Sequence, residues 1–265
     1  MSTPLFVTKE KRKEDIKKIK KFVDQIPISK RDKFLKLSGS LDNYICYEQF
    51  VSANFYKNTT YDIYGENGHI PYVYYEDGVT IIWFNQLESC CAIKYYSMMT
   101  LIMDELSNHD IKKWIIDFRG NSGGDPMDFI TVLSWFMGDF VLDKKCNDGS
   151  TKKFIYNKSK QKIYFENEQY INQFIKSKEK VKGEICVVIN RYVYSAGEFS
   201  AYLLRKSSNA KIYGFKSGGL FNMPSFSNKG IIHEFPFCNI VENGKKIPNY
   251  ITPDVEGIPD SLYKI

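Results

Sequence analysis

Histidine is scarce in this sequence: three in 265 residues, at positions 69, 109 and 233. Chemistry that depends on an imidazole therefore has very few places to sit. Cysteine is sparse too, with six residues, Cys46, Cys90, Cys91, Cys146, Cys186 and Cys238. None forms C-x-x-C and none has a histidine at metal-ligand spacing, so no metal site is expected, and no other cofactor. The adjacent pair Cys90-Cys91 is not expected to bridge to itself, and Cys186 lies in an apolar run where a buried free thiol is usual. Reduced thiols point to the cytoplasm, or to export if a signal has been removed from the natural protein. Long apolar runs are missing, which excludes a membrane-spanning helix. The opening Met1–Thr8 has no basic segment ahead of an apolar core, so it does not read as a signal peptide. Neither G-x-G-x-x-G nor G-K-[ST] occurs, which removes dinucleotide and phosphate-loop readings. Net charge is only +6, and much of it falls in Lys9–Lys21. That run reads as a solvated helix face rather than a nucleic-acid or membrane patch, so no nucleic-acid partner is expected.

What is present is an ordinary globular composition, 43% hydrophobic and 26% charged, with length for one sizeable α/β domain and a small appendage. Thr8–Gln25 predicts a helix capped by Thr8, with Ile16, Ile19, Phe22 and Val23 on one face and Pro27 as its stop. Ser29–Leu37 predicts a second short helix. Ser38–Tyr75 is turn-rich and reads as irregular. From Gly78 strand and helix alternate: strands at Val79–Phe84, Lys113–Asp117, Glu184–Asn190 and Lys211–Gly214, helices at Ala92–Asn108, Met127–Met137 and Ala196–Ser207. The pattern predicts βαβ units around a mostly parallel sheet. Asp143–Lys180 reads as a charged insertion with a hairpin-like core at Tyr156, Ile163 and Tyr164. The expected division is a small, mostly helical N-terminal region over 1–75 and an α/β domain over 76–265.

Two strand-to-turn junctions carry candidate chemistry. After the first buried strand comes Asp117-Phe118-Arg119-Gly120-Asn121-Ser122-Gly123-Gly124, a glycine-rich loop that can turn sharply and aim N–H groups at an anion. A plain structural turn is the alternative. Asp117 and Arg119 beside a buried strand are expected to be paired. The second junction is Asn190-Arg191-Tyr192-Val193-Tyr194-Ser195-Ala196-Gly197-Glu198, again from a strand into a helix. A serine there is most often a cap, but its position also suits a nucleophile with helix N–H groups as an oxyanion hole.

Together the two junctions resemble the C-terminal-processing (tail-specific) serine peptidase family. Asp117–Gly124 is similar to its D-x-R-G-N-x-G-G signature, and Ser195-Ala196-Gly197-Glu198 to its S-A-x-E motif. The tail Ile251-Thr252-Pro253-Asp254-Val255 resembles the late G-I-x-P-D-x-x-V segment. The resemblance runs from about Gly78 onward. It implies a crotonase-like core, peptide or unfolded-protein substrates, Ser195 as nucleophile, and an oxyanion hole from Ala196 with Gly123 or Gly124. Asp117, Arg119, Glu198 and Asp254 become supporting residues.

The sequence departs from the family at the general base. Tail-specific members carry a lysine in G-x-x-T-x-G-K; here the segment is Gly214-Phe215-Lys216-Ser217-Gly218-Gly219-Leu220, and leucine accepts no proton. Three readings stay open. His69, in Gly68-His69-Ile70, resembles the histidine segment of tricorn-like relatives and would be oriented by Glu198 or Asp254. Lys216 could reach the site from the same loop. Or the chain binds peptides without cleaving them. His109 reads as a solvated helix end and His233 as a strand-surface residue. Too few residues separate His69 from Val79 to hold the PDZ module of many relatives. A crotonase-type acyl-CoA enzyme shares the implied fold but has no use for Ser195. Oligomeric state is not encoded in any recognisable signal.

Overall fold

The computed structural model describes the chain except for residues 1–4, 56–70, 88–91, 147–148, 161, 166–167, 171–180, 222–225, 229–230, 234–237 and 265. Strand β1 (Leu5–Phe6) leads into helix α1 (Lys9–Asp24). Thr8 caps that helix, its hydroxyl accepting the Lys11 N–H at 3.2 Å, as its residue type predicts. Helix α2 (Ile28–Ser38) follows Pro27. Helix α3 (Tyr47–Asn54) lies inside the stretch that reads as irregular. Its cap is Cys46, whose Sγ accepts the Gln49 N–H at 3.4 Å, a residue type that gives no cap signal in sequence. Ile19, Val23, Tyr44, Phe50 and Ala53 form a separate small core among these helices.

Next come β2 (Tyr72–Glu76) and β3 (Val79–Trp83), joined by Asp77-Gly78 with φ of 48° and 76°. Positive φ at both positions is what a tight antiparallel hairpin needs. Helix α4 (Ala92–Leu106), β4 (Lys113–Asp117) and α5 (Pro126–Val132) follow. Helix α5 is shorter than the apolar spacing to Met137 predicts; the chain turns after it instead, with the Phe136 N–H on the Leu133 carbonyl. The remaining elements are β5 (Phe140–Cys146), β6 (Thr151–Asn157), β7 (Lys162–Phe165), β8 (Glu168–Tyr170), β9 (Glu184–Ile189), α6 (Ala196–Ser208), β10 (Lys211–Gly214), β11 (Phe226–Asn228), β12 (Ile231–His233), β13 (Cys238–Glu242), β14 (Lys245–Lys246) and β15 (Val255–Glu256).

Seven strands form the main sheet in the order β1-β2-β3-β4-β9-β10-β15, parallel throughout except for the β2–β3 hairpin. Strand β3 is buried along its whole length, and β4 and β9 along all but their first residue, as central parallel strands covered on both faces must be. Residues from both sides of position 75 share this sheet, since β1 and β2 pair with each other and β2 with β3. The charged stretch 143–180 contributes β6–β8 to a second, antiparallel sheet in the order β14-β13-β5-β6-β7-β8. There Tyr156 pairs with Ile163, the hairpin core visible in sequence. Phe154 of this sheet meets Phe199 of α6, ring centroids 5.9 Å apart.

The N-terminal helices are tied to the main sheet by one buried ion pair. The Arg119 side chain donates from Nε to both oxygens of Asp117 at 3.1 and 3.0 Å and from a terminal nitrogen to Oδ2 at 2.6 Å. The same guanidinium donates to the Asn43 carbonyl at 3.1 Å and lies 4.2 Å from the centre of the Tyr44 ring. Gln49 of α3 donates to Asp117 at 2.7 Å. A lysine cannot reproduce this fork or stack. Arg119→Lys is therefore expected to destabilise the protein by about 2–4 kcal/mol in urea unfolding, with little effect on any turnover per folded molecule. A change within about 0.5 kcal/mol, the scale of ordinary surface substitutions, would show that the pair does not anchor the helices.

Candidate active site

Beyond β4 the chain continues in sheet-like contact, the Phe118 N–H donating to the Val188 carbonyl at 2.9 Å. It then enters the glycine-rich loop. Asn121, fully buried, holds that loop. Its amide nitrogen donates to the carbonyls of Phe84 and Asn85 at 3.0 and 2.7 Å, and its Oδ1 accepts the Gly123 N–H at 2.9 Å. Its own carbonyl accepts the Tyr194 N–H at 3.0 Å, which binds the first junction to the second. Asn190 makes a second tie. It donates to the Ala53 carbonyl at 2.6 Å and accepts the N–H of Tyr192 and of Gly120 at 3.1 and 3.3 Å. Reasoning from sequence assigned neither asparagine a role; the available signal was an asparagine in a turn after a strand, a residue type that bonds backbone locally.

Ser195 stands between β9 and α6 with φ 50° and ψ −120°. A non-glycine residue in this region costs about 1–3 kcal/mol and persists only where the surroundings enforce it. It is half-buried. Gly123, φ 114°, packs directly on it: a Cβ there would stand 2.9 Å from the Ser195 Cβ and 3.4 Å from the Ala196 nitrogen. The two junctions thus form one site. The Gly123 N–H is spent on Asn121, which leaves Gly124 of the two glycines expected as alternatives for the second oxyanion donor. The N–H groups of Gly124 and Ala196 accept no such commitment among the described residues. Gly124 cannot carry a side chain, because its Cβ would stand 1.8 Å from the Leu87 carbonyl oxygen.

Glu198, fully buried, is the hub of the site. Oε2 accepts the Ser195 N–H at 2.9 Å and the Leu220 N–H at 2.8 Å. Oε1 accepts the Gly219 N–H at 2.9 Å and the Ser217 hydroxyl. Ser217 in turn accepts the Ile251 N–H at 2.7 Å. Burial holds the Glu198 carboxyl above its ordinary range, and these four donors offset only part of that rise. Among the described residues its donors are three backbone N–H groups and the Ser217 hydroxyl. The carboxylate fixes the turn of Ser195 against the loop 217–220, so that Leu220 and Ser195 share one oxygen. The Leu220 side chain is 39% exposed.

Lys216 and Asp254 make their described contacts with other residues. The Lys216 ammonium sits 3.4 Å from the centre of the Tyr250 ring. Asp254 accepts the Ile212 N–H at 2.8 Å and pairs with Arg205. His109 is exposed and lies against Tyr75, ring centroids 4.5 Å apart. His69 lies outside the described residues. Cys46 and Cys186 are buried free thiols. No group of three metal-binding side chains occurs among the described residues, and no helix among them is long and apolar enough to cross a membrane.

The profile of peptidase family S41 matches residues 79–256. Among solved structures, a lipoprotein from Streptococcus agalactiae is similar over 97% of this chain and 93% of its own, with a TM-score of 0.57 and 14% identity. The photosystem II D1 C-terminal processing protease matches 67% of this chain and 42% of its own, at a TM-score of 0.45 and 19% identity. Mature CPAF complexed with lactacystin matches 67% and 47%, at 0.45 and 15%. The chain thus spans less than half the length of these two proteases. No curated protein sequence matches it.

Proposed function

Since the chain belongs to peptidase family S41, and its function is accordingly that of a serine peptidase, we propose that Ser195 is its nucleophile and that peptides or unfolded proteins are cleaved internally. One observation carries the assignment: Ser195 is held in a strained backbone conformation at a strand-to-helix turn, against a glycine that leaves no room for a side chain. Such a turn lifts a hydroxyl out of the backbone toward a substrate. In attack, Oγ bonds to the scissile carbonyl carbon and the carbonyl oxygen takes the negative charge. The N–H groups of Ala196 and Gly124 are the donors we assign to that oxygen, the former at a helix start where the dipole also favours an anion. Glu198, Asn121 and Asn190 act as positioning residues. Parallel strands β3, β4, β9 and β10 with intervening helices support a crotonase-like core, with the helical residues of the first 75 as an attached region.

Leu220 at the family's lysine position favours a second reading, a groove that holds peptides without cleaving them. A serine-directed fluorophosphonate separates the two. Wild type should be labelled at one site, mapped to Ser195 by mass spectrometry, and should degrade denatured casein; Ser195→Ala should do neither. A wild-type protein that binds casein peptides but is never labelled would leave the binding reading standing.

A further inference from the structure

The loop 217–221 is fixed to its neighbours residue by residue. The Ser217 N–H donates to the Ile251 carbonyl at 3.0 Å, the Gly218 N–H to the Val193 carbonyl at 2.8 Å and the Phe221 N–H to the Asn249 carbonyl at 3.1 Å. Gly219 and Leu220 donate to Glu198. The Phe221 ring is buried against Tyr202 and Phe199 of α6, with ring centroids 5.3 and 6.2 Å apart. Every backbone N–H from Ser217 to Phe221 is thus committed, and the segment cannot turn over to hide a side chain. Yet it presents Leu220 to solvent.

A single exposed apolar residue is ordinary on a protein surface; the place of this one is not. The N–H groups of Leu220 and Ser195 meet on the same Glu198 oxygen, so the Leu220 side chain is rooted beside the backbone of Ser195. A second apolar group adjoins it. The Tyr194 ring, half-buried and directly before Ser195, lies over Gly218, where a Cβ would stand 1.8 Å from a ring carbon. Between that contact and Leu220 the loop has only Gly218 and Gly219, the latter at φ 105°, a conformation that favours glycine. The result is an apolar ledge next to Ser195 with bare backbone in its middle. The ionisable side chains of these loops are engaged with other groups: Lys216 lies on the Tyr250 ring, Arg191 on the Tyr192 ring, and Glu198 is buried under its donors.

We infer that this ledge is the subsite for one of the two side chains flanking the scissile bond, and that Leu220 selects an apolar one there. The inference rests on Ser195 being the nucleophile. The carbonyl that Oγ attacks joins the two flanking residues, so the side chain that falls over the loop 217–220 meets Leu220 and the Tyr194 ring. An apolar side chain laid there takes its own surface and that of Leu220 out of water. A charged one gives up hydration and receives no counter-charge from Leu220. Because the loop backbone is already fixed, the contact needs no ordering of the loop as substrate arrives. Leucine at this position thus acts on which bond is cut, as a specificity-determining residue.

The test digests a mixed peptide library with the full chain and maps the cut bonds by mass spectrometry. Wild type is expected to favour Leu, Ile, Val, Met or Phe over Asp, Glu or Lys by ~10-fold or more at one flanking position. Leu220→Glu is expected to move that same position toward Lys and Arg, lowering its ratio of Leu to Lys cuts by ~10-fold or more. A ratio within one protein cancels any change in the reactivity of Ser195, which a merely structural role for Leu220 would alter equally for all peptides. Leu220→Ala is expected to lower the ratio of Leu to Ala cuts several-fold, and it carries the test alone if Leu220→Glu does not fold or does not cut. Unchanged ratios in the folded variants, a wild type without an apolar preference, or a wild type that takes the fluorophosphonate but cuts no library peptide overturns the role of Leu220 and leaves Ser195 standing. A wild type that is neither labelled nor able to cut overturns both.

Discussion

Glu198→Gln will destabilise the protein by about 3–5 kcal/mol and slow labelling of Ser195 by at least ~10²-fold. The carboxylate accepts four hydrogen bonds in a buried place: from the N–H groups of Ser195 and Leu220 on one oxygen, and from the Gly219 N–H and the Ser217 hydroxyl on the other. Glutamine keeps the shape but turns one acceptor into a donor. Whichever way the amide is set, its NH₂ faces a pair of donors. On the Oε2 side it confronts two backbone N–H groups that cannot rotate away. On the Oε1 side the Ser217 hydroxyl can turn but the Gly219 N–H cannot. Each buried donor left without an acceptor costs about 1–3 kcal/mol. The rate falls for a connected reason. Ser195 sits at φ 50° because its N–H is held, and release of that N–H lets the turn relax toward ordinary backbone, away from the donors on Ala196 and Gly124. Urea unfolding and phosphonate labelling on the same sample check both parts. Wild-type stability in Glu198→Gln would mean that the hub does not hold the loop.

The legible and illegible parts of this protein divide along physical lines. Val79–Trp83, Trp114–Ile116 and Ile185–Ile189 are predominantly apolar runs whose burial is their own local property, and they lie in strands of the main sheet. Helix α1 announces itself through Thr8 and its apolar face. Helix α3 does not, because its cap is a thiol and because Gln49, fully buried, is there to meet Asp117, which lies far along the chain. Strand β5 was hidden by its inner lysine, which breaks the apolar alternation that would mark it. In the site, the juxtaposition of Ser195 with Gly123 follows from two glycine- and serine-bearing turns at the ends of adjacent parallel strands, β4 and β9. The choice between Gly123 and Gly124 as donor could not be read. It depends on where the Asn121 side chain goes, and that is set by the carbonyls of Phe84 and Asn85. The same holds for Glu198: its motif position marks it as important, but that it accepts from the loop 217–220 is a fact of three-dimensional closure.

The position of Leu220 yields the last prediction: Leu220→Lys will speed fluorophosphonate labelling of Ser195 by ~10-fold or more. The Leu220 N–H and the Ser195 N–H converge on one oxygen of Glu198, at 2.8 and 2.9 Å, so residue 220 starts beside the nucleophile's own backbone. Its side chain is 39% exposed, and a lysine there need not bury its charge or displace a packed neighbour. The four-carbon stem is flexible enough to bring an amine toward Oγ. A Leu220→Lys protein that folds as wild type does but is labelled no faster would mean that the loop held by Glu198 does not present residue 220 to Ser195, and that this chain cannot be returned to the family's lysine by a single change.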